Sequence, residues 1–590
     1  MSMEPRLPKP TRKRFRPPKP RTQPLKRGRA CLNCRHLKIR CDGMRPVCGN
    51  CTRVPKGASC KFTDPLSKAN LEHHAAGSSQ FPEKRFENES HSGYLSTPMS
   101  SFSEISSDGQ SESQSNYSSN EQEPPFETIQ LLLQNFLPHA TQFGFALHIE
   151  RFTNATLIPQ IPFGNILRPS QSLLYAVYLW GAHLSPPGPL FDLKPTFLRR
   201  ALQATSTETF THNDTAHALQ MIQAHILLGN YSLMQKRLLS AQLHANAAAT
   251  LAMSYRLHQL GSAVSAPPSP MLHGALYLDS LDELDAHLTP AQDSVEEGER
   301  VRCFWAVISL QTSINLASES DAQSVGLNSC LLECLGREID TPWPMQIAEY
   351  EFMEGYRSAD NYEGETIQRF MMMEPSSTPH SVSHVQAAVL LHHSMRFSTK
   401  WALASQFPEF SSSMNTYTSL STRITQFWNE LPPAYPSCAP KLILTHNLTA
   451  AASLSLHRPF VSFDPTAQTK CLAATRAIIQ SLHVPTSPET TTTVNPVLGT
   501  VCALACNVLL DELKRTRTMW AEWAAAPTMA LDVDVDVSLP SLPVCEQESV
   551  LLMDLQEGIG ILEMYASGGP LAEHQLKGIQ QRHNSHYASL

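Results

Sequence analysis

From Phe126 onward, apolar residues recur at the three-to-four-residue spacing of helices, whereas the first 125 residues are mostly polar. Phe126-Glu-Thr-Ile-Gln-Leu-Leu-Leu-Gln-Asn-Phe-Leu137 opens the change. Asn213 or Asp214 is placed to cap a helix that carries Leu219, Ile222 and Ile226 on one face, with Gly229 as its stop. A second helical segment, rich in Ala and Leu, runs from Met234 to Leu260 and ends at Gly261. Phe304, Trp305 and Ile308 form a stripe between Val301 and Thr312, and alternating strand patterns are scarce. The pattern predicts a large all-α domain over 126–525, broken by proline-rich loops at 185–189, 266–270 and 431–433, and then a C-terminal tail over 526–590.

The polar stretch before it divides in three. Residues 90–119 hold 13 serines in 30 positions, so 63–125 reads as a disordered Ser-rich linker. Residues 1–30 hold 11 Lys/Arg between prolines that forbid a continuous helix, and this reads as a disordered basic arm for nuclear import and phosphate contact. Between them, residues 31–62 contain six of the 14 cysteines. Residues 1–61 carry 18 Lys/Arg against two acids, a balance of +16, so the total of −7 leaves −23 on the remainder. A basic end on an acidic body suits a nucleic-acid-binding module joined to a regulatory body. Met1 to Ala30 has no apolar core of signal-peptide length, and no run of about 18 uninterrupted apolar residues argues for a membrane span.

The six cysteines are Cys31, Cys34, Cys41, Cys48, Cys51 and Cys60, a C-x2-C-x6-C unit followed by a slightly longer copy. Thiolates two residues apart can face one centre, as in zinc sites. Disulfides also use even numbers of cysteines, but they belong to oxidising compartments. Two zinc ions require eight ligand positions, so six sulfurs suffice only if two are shared. Two Zn²⁺ with six thiolates carry a net charge of about −2, which nearby cations offset. Arg35, His36, Lys38 and Arg40 lie between Cys34 and Cys41, whereas the last gap holds Arg53 and Lys56. The first half is therefore the expected DNA face, because Lys and Arg donate to guanine O6 and N7 and to phosphate oxygens. The same cations could instead serve only to neutralise the cluster.

Cys31-Leu-Asn-Cys34-Arg-His-Leu-Lys-Ile-Arg-Cys41-Asp42, with Pro46 before Cys48-Gly-Asn-Cys51 and then Cys60, resembles the fungal binuclear zinc cluster, Zn2Cys6, of transcription factors. The resemblance implies two zinc ions bridged by Cys31 and Cys48, Lys38 on the guanines of a CGG triplet in the major groove, and Arg35 and Arg40 near the phosphates. Arg53 joins them as a DNA-contact candidate on its charge. Shorter stretches resemble the fungal transcription factor middle homology region, among them Leu173-Leu-Tyr-Ala-Val-Tyr-Leu-Trp180, Val301-Arg-Cys-Phe-Trp305 and Ile339-Asp-Thr-Pro-Trp-Pro344. Gln311 stands where that family often has Asp, so an ion pair there is absent or replaced. Trp305 and Trp343 are expected in the core. The expected fold is a small Zn2Cys6 cluster domain, a disordered linker and a large all-α regulatory domain.

The function implied is that of a nuclear, sequence-specific DNA-binding regulator of RNA polymerase II transcription. The competing reading is a ligand-sensing or scaffolding helical regulator with a non-essential cluster. No P-loop, H-E-x-x-H or G-x-S-x-G motif points to an enzyme. His392-His393 and His73-His74 are expected to be surface or satisfied histidines, and Cys502 with Cys506 to be buried structural thiols. Leu66 to Gly77 carries no heptad repeat, so a homodimer through the body and monomeric binding to one half-site both stand. Further partners are a coactivator, for which Leu531-Asp-Val-Asp-Val-Asp-Val537 is a candidate contact, and a small-molecule effector.

Overall fold

The structure is a computed structural model. It describes Cys34, Cys41, Cys48 and Cys51 of the N-terminal region, and residues 123–588 apart from 159–164, 166, 209–214, 262–289, 320–329, 353–364, 373–383, 405–409, 434–438, 483–494 and 526–542. The chain divides into two units, Met1–Ser115 and Asn116–Leu590. The cap expected at Asn213 or Asp214 and the segment Leu531–Val537 lie outside the described residues.

Among the described residues the second unit contains helices and no strand. In chain order they are α1 (Phe126–Phe136), α2 (Ile149–Thr156), α3 (Gln171–His183), α4 (Lys194–Thr207), α5 (Thr215–Met234), α6 (Leu238–Ser254) and α7 (Ser294–Glu319). Three short helices follow: α8 (Leu331–Leu335), α9 (Ile347–Glu351) and α10 (Thr366–Met372). The later half comprises α11 (His384–Ala404), α12 (Phe410–Glu430), α13 (Pro440–His457), α14 (Pro465–Leu482), α15 (Pro496–Ala525), α16 (Pro543–Ala566) and α17 (Pro570–Ala588). Five of these begin on proline, which fits the first helical turn because its N–H would be unpaired there anyway.

Helix α3 is the centre of the first half. Ser170 caps it by accepting from the Leu173 N–H at 3.4 Å, and every residue from Ser172 to Ala182 is buried. A helix apolar on all sides must be enclosed, and α1, α4 and α5 pack around it. Gly181 makes that possible, since a Cβ there would lie 2.3 Å from the Leu132 carbonyl oxygen on α1. The Trp180 indole donates to the Leu227 carbonyl at 3.0 Å, which satisfies its one polar atom inside the core.

In the later half, α11 pairs with α13, and α15, α16 and α17 pack on one another. The tail expected from 526 therefore gives way to packed helix from 543. Leu551, Leu555, Ile559 and Leu562 recur at helical spacing and are buried, so these residues carry their own apolar face. Helix α15 includes a stretch long and apolar enough to cross a membrane, with mean hydropathy 1.5, yet 78% of it is buried inside this unit. It is a core helix by its surroundings.

Local expectations were met in some places and altered in others. Gly229 does not stop α5, which continues to Met234; it is a close-approach residue, where a Cβ would meet Leu310 Cδ2 at 2.7 Å. The segment from Met234 to Leu260 is broken at its start, with Lys236 in the left-handed region at φ 57°. Trp305 and Trp343 are in the core as expected, stacked with ring centroids 4.5 Å apart, and the Trp305 indole donates to the Pro342 carbonyl at 2.7 Å. Gln311 is buried and accepts from the Leu331 N–H at 3.0 Å, so an amide caps α8 where an ion pair was in question. Cys502 and Cys506 are buried structural thiols. His392 is not at the surface: it is 3% exposed, because its helix faces the core on that side.

The entry into α1 is held by an ion pair whose arginine is buried and whose carboxylate is partly so. Arg168 donates to both carboxylate oxygens of Glu123, at 2.6 and 2.5 Å, and to the Thr156 carbonyl at 3.0 Å, while the Tyr178 hydroxyl donates to Glu123 at 3.2 Å. Removing one partner strands the other charge in the interior. Arg168→Ala is expected to destabilise the body by about 3–5 kcal/mol. Urea unfolding followed by circular dichroism is the check, and a loss below about 1 kcal/mol would mean that the pair is worth no more than a surface contact.

Several buried histidines make the body acid-sensitive. Burial, with adjacent His393 and Arg396 adding to it, pushes His392 down to about 3 from 6.5, and burial holds His457 and His183 down to about 4. The folded state therefore binds protons later than the unfolded state as pH falls, and stability is lost from about pH 6.5 down through about pH 4. In a His392→Gln variant, proton uptake on unfolding at pH 5 should fall by about one, read from the pH dependence of the unfolding free energy. An unchanged slope would show that His392 titrates alike in both states.

Candidate metal centre

Cys34 and Cys51 are each the second cysteine of a C-x-x-C pair and each lies in helical backbone, so the two halves of the cysteine repeat share a local conformation. Cys34, Cys41, Cys48 and Cys51 are buried and form a cluster of their own in the first unit. The Sγ atoms of Cys34 and Cys48 are 3.5 Å apart, although the residues are 14 apart in sequence. Those of Cys34, Cys48 and Cys51 all lie within 4.8 Å of one another. Cys41 is buried with them but outside that triplet.

The distances distinguish the two chemistries that the spacing allowed. A disulfide would bring two sulfurs to about 2.05 Å. Thiolates around a tetrahedral zinc, each about 2.3 Å from the ion, stand on the order of 3.8 Å from one another. The observed separations fit convergent metal ligands. Cys34 comes from the first half of the repeat and Cys48 and Cys51 from the second, so the two halves converge on one place.

Cys31, Cys60 and the four predicted DNA contacts, Arg35, Lys38, Arg40 and Arg53, lie outside the described residues. The structure thus brings together the four inner cysteines of the six.

Comparison with known proteins agrees with this geometry. Residues 29–69 match the fungal Zn(2)-Cys(6) binuclear cluster domain, and residues 129–317 match the fungal specific transcription factor domain. The chain thus carries the two domains found together in fungal zinc-cluster transcription factors. It is similar to the citrinin biosynthesis transcriptional activator mrl3 of Monascus ruber, 23% identical over 492 residues that cover 76% of this chain and 89% of that protein. The corresponding activator ctnR of Monascus purpureus is also 23% identical, over 76% of this chain and 78% of its own. Transcription factor PDR1 of Candida glabrata is 44% identical over 62 residues, which are 10% of this chain and only 5% of that protein. No solved structure matches.

A cluster domain of this family binds two zinc ions, and the donor set fits: buried sulfurs, convergent and at ligand spacing. So small a module has little apolar core, and structural zinc contributes on the order of 10 kcal/mol to folding such domains. In Cys48→Ala, zinc content should fall from two ions per chain to one or none, measured by atomic emission on purified protein. Two retained ions would show that Cys48 is not a ligand.

Proposed function

We propose that this DNA-binding transcriptional regulator acts in the nucleus on RNA polymerase II promoters and reads CGG-like triplets through its cluster. The observation that supports this most is the convergence of Cys34, Cys48 and Cys51, thiols drawn from both halves of the cysteine repeat. Six sulfurs fill two tetrahedral sites only if two are shared; the family resemblance assigns that sharing to Cys31 and Cys48, with Cys34, Cys41, Cys51 and Cys60 completing the two sites. Six thiolates around two ions then hold the segment from Arg35 to Arg40 as a rigid presentation of cations.

In this reading Lys38 donates to guanine O6 and N7, while Arg35, Arg40 and Arg53 bind phosphate oxygens and set the register. The basic arm over 1–30 adds salt-dependent, sequence-independent attraction. The Ser-rich tether over 63–125 joins the cluster to the body, which supplies regulation or self-association and no catalysis. Whether the output is activation, as the names of the Monascus relatives state for those proteins, is read by a reporter.

Lys38→Ala is expected to cost about 1–3 kcal/mol on the preferred site and little on unrelated DNA, so that specificity relaxes. Selection from a random DNA pool with zinc-loaded full-length protein, followed by competition titrations at fixed salt, measures both quantities. Equal losses on every sequence would make Lys38 a phosphate contact, and a consensus without a CGG-like triplet would remove the base-reading assignment.

A further inference from the structure

Three basic side chains from three helices gather near the start of α11, and the acids around them are engaged elsewhere. Arg302 stands on α7, His384 is the first residue of α11, and Lys441 is the second residue of α13. Helix α11 packs on both α7 and α13, which brings the three to one place in the body. Lys441 is exposed while Arg302 and His384 are half-buried, so the cluster runs from the surface inward. At its inner end the Arg302 Nη1 is closed off from solvent and has no hydrogen-bond partner. A guanidinium keeps its charge at every physiological pH, so a buried nitrogen of that group without an acceptor is unfavourable unless something pairs it.

The surroundings oppose all three charges. Burial pushes the Arg302 guanidinium down, and it pushes the His384 imidazole down to about 4, with Lys441 and then Arg302 adding to the effect on the histidine. Lys441 is pushed down too, first by the burial of part of its side chain and then by Arg302. Two carboxylates are near enough to act against this, and both have other partners. Glu299 accepts from the His148 N–H at 2.7 Å, and Glu349 accepts from the Gln346 N–H at 3.2 Å. The backbone adds to the positive field. Helix α13 begins at Pro440 after Ala439, which has no side chain to cap it, and α11 begins at His384 itself. Free N–H groups and the helix dipole favour an anion at such a start.

We infer that this cluster is a binding site for a phosphate group, with the Arg302 guanidinium and the Lys441 ammonium on its oxygens, His384 donating from a ring nitrogen, and the uncapped start of α13 beside them. A tetrahedral dianion accepts from several directions at once, and arginine supplies the paired donors that match two of its oxygens. A carboxylate, planar and singly charged, satisfies fewer of these donors. The site goes beyond the reading of DNA by the cluster and does not depend on it. It joins α7 to α11 and α13, so occupancy ties the two halves of the body together.

Inorganic phosphate, methyl phosphate and acetate are the probes, titrated into zinc-loaded full-length protein by calorimetry at neutral pH and matched ionic strength. Phosphate should bind saturably, at least tenfold more tightly than acetate. Methyl phosphate of equal affinity assigns the site to the phosphate group of a larger molecule, and methyl phosphate at least tenfold weaker assigns it to the free ion. Lys441→Ala changes an exposed side chain; it should fold and weaken phosphate at least fivefold. Arg302→Met should weaken it at least tenfold. Both variants leave the basic arm over 1–30 intact, so phosphate held there would keep its affinity. Unsaturable binding, acetate as tight as phosphate, or undiminished phosphate affinity in Lys441→Ala with an intact circular dichroism spectrum would overturn the site. If Arg302→Met does not fold, Lys441→Ala decides alone.

Discussion

The enclosure of α3 is the constraint on which the rest of the helical body depends. A helix with buried residues around its whole circumference has no face to give to water, so at least three neighbours must reach it. The closest approach is between backbones, at Gly181 against Leu132, and there no side chain larger than hydrogen fits. Once α1 is that near, Phe136, Phe143 and Phe145 fall into the same apolar volume as Trp180, and the path of the chain from Glu123 to Arg168 is set by where their ion pair can form. A buried pair of this kind adds little net stability over an apolar replacement, but it admits one arrangement of the entry into α1.

The two units solve the burial problem by opposite means. The second encloses Trp180, Trp305 and long apolar helices, and it meets the cost of buried polar groups with internal acceptors: Leu227 for one indole, Pro342 for the other, the Gln311 amide for the first turn of α8. The cysteine module has too few apolar residues for such a core. Its described residues are buried cysteines, and metal coordination takes the place of apolar packing. DNA affinity and metal content are thus linked in one thirty-residue segment, while the stability of the body follows its own histidines and ion pairs.

Much of this was legible in the residues. The cysteine repeat announced convergent thiolates, and the structure places Cys34, Cys48 and Cys51 together. The helical class of the body followed from period alone, and the two tryptophans are where amphipathic aromatics belong. What could not be read were features that depend on a partner distant in sequence. Gly229 looks like a stop until Leu310 is seen across from it, and whether His392 is a surface or an interior histidine shows only once the far side of α11 is known. Within the tail expected from 526, the helical spacing of Leu551, Leu555 and Ile559 was visible in the residues, but not that it packs on α15. A small cavity beside Phe143, Trp180 and Gly499 had no local signal at all, since its walls come from residues between 143 and 572.

Packing alone does not account for that cavity. Gly499 sits inside the first turns of α15, where alanine is preferred over glycine by about 1 kcal/mol, and the space around it would accept the extra methyl at ordinary contact distance. Gly181 and Gly229, by contrast, are required by atoms that a Cβ would strike. The third glycine is thus a position where both propensity and packing favour a larger residue and the chain carries none. The space beside it is about 30 Å3, room for two or three waters, and it is bordered by the stacked rings of Phe143 and Trp180 and by His183.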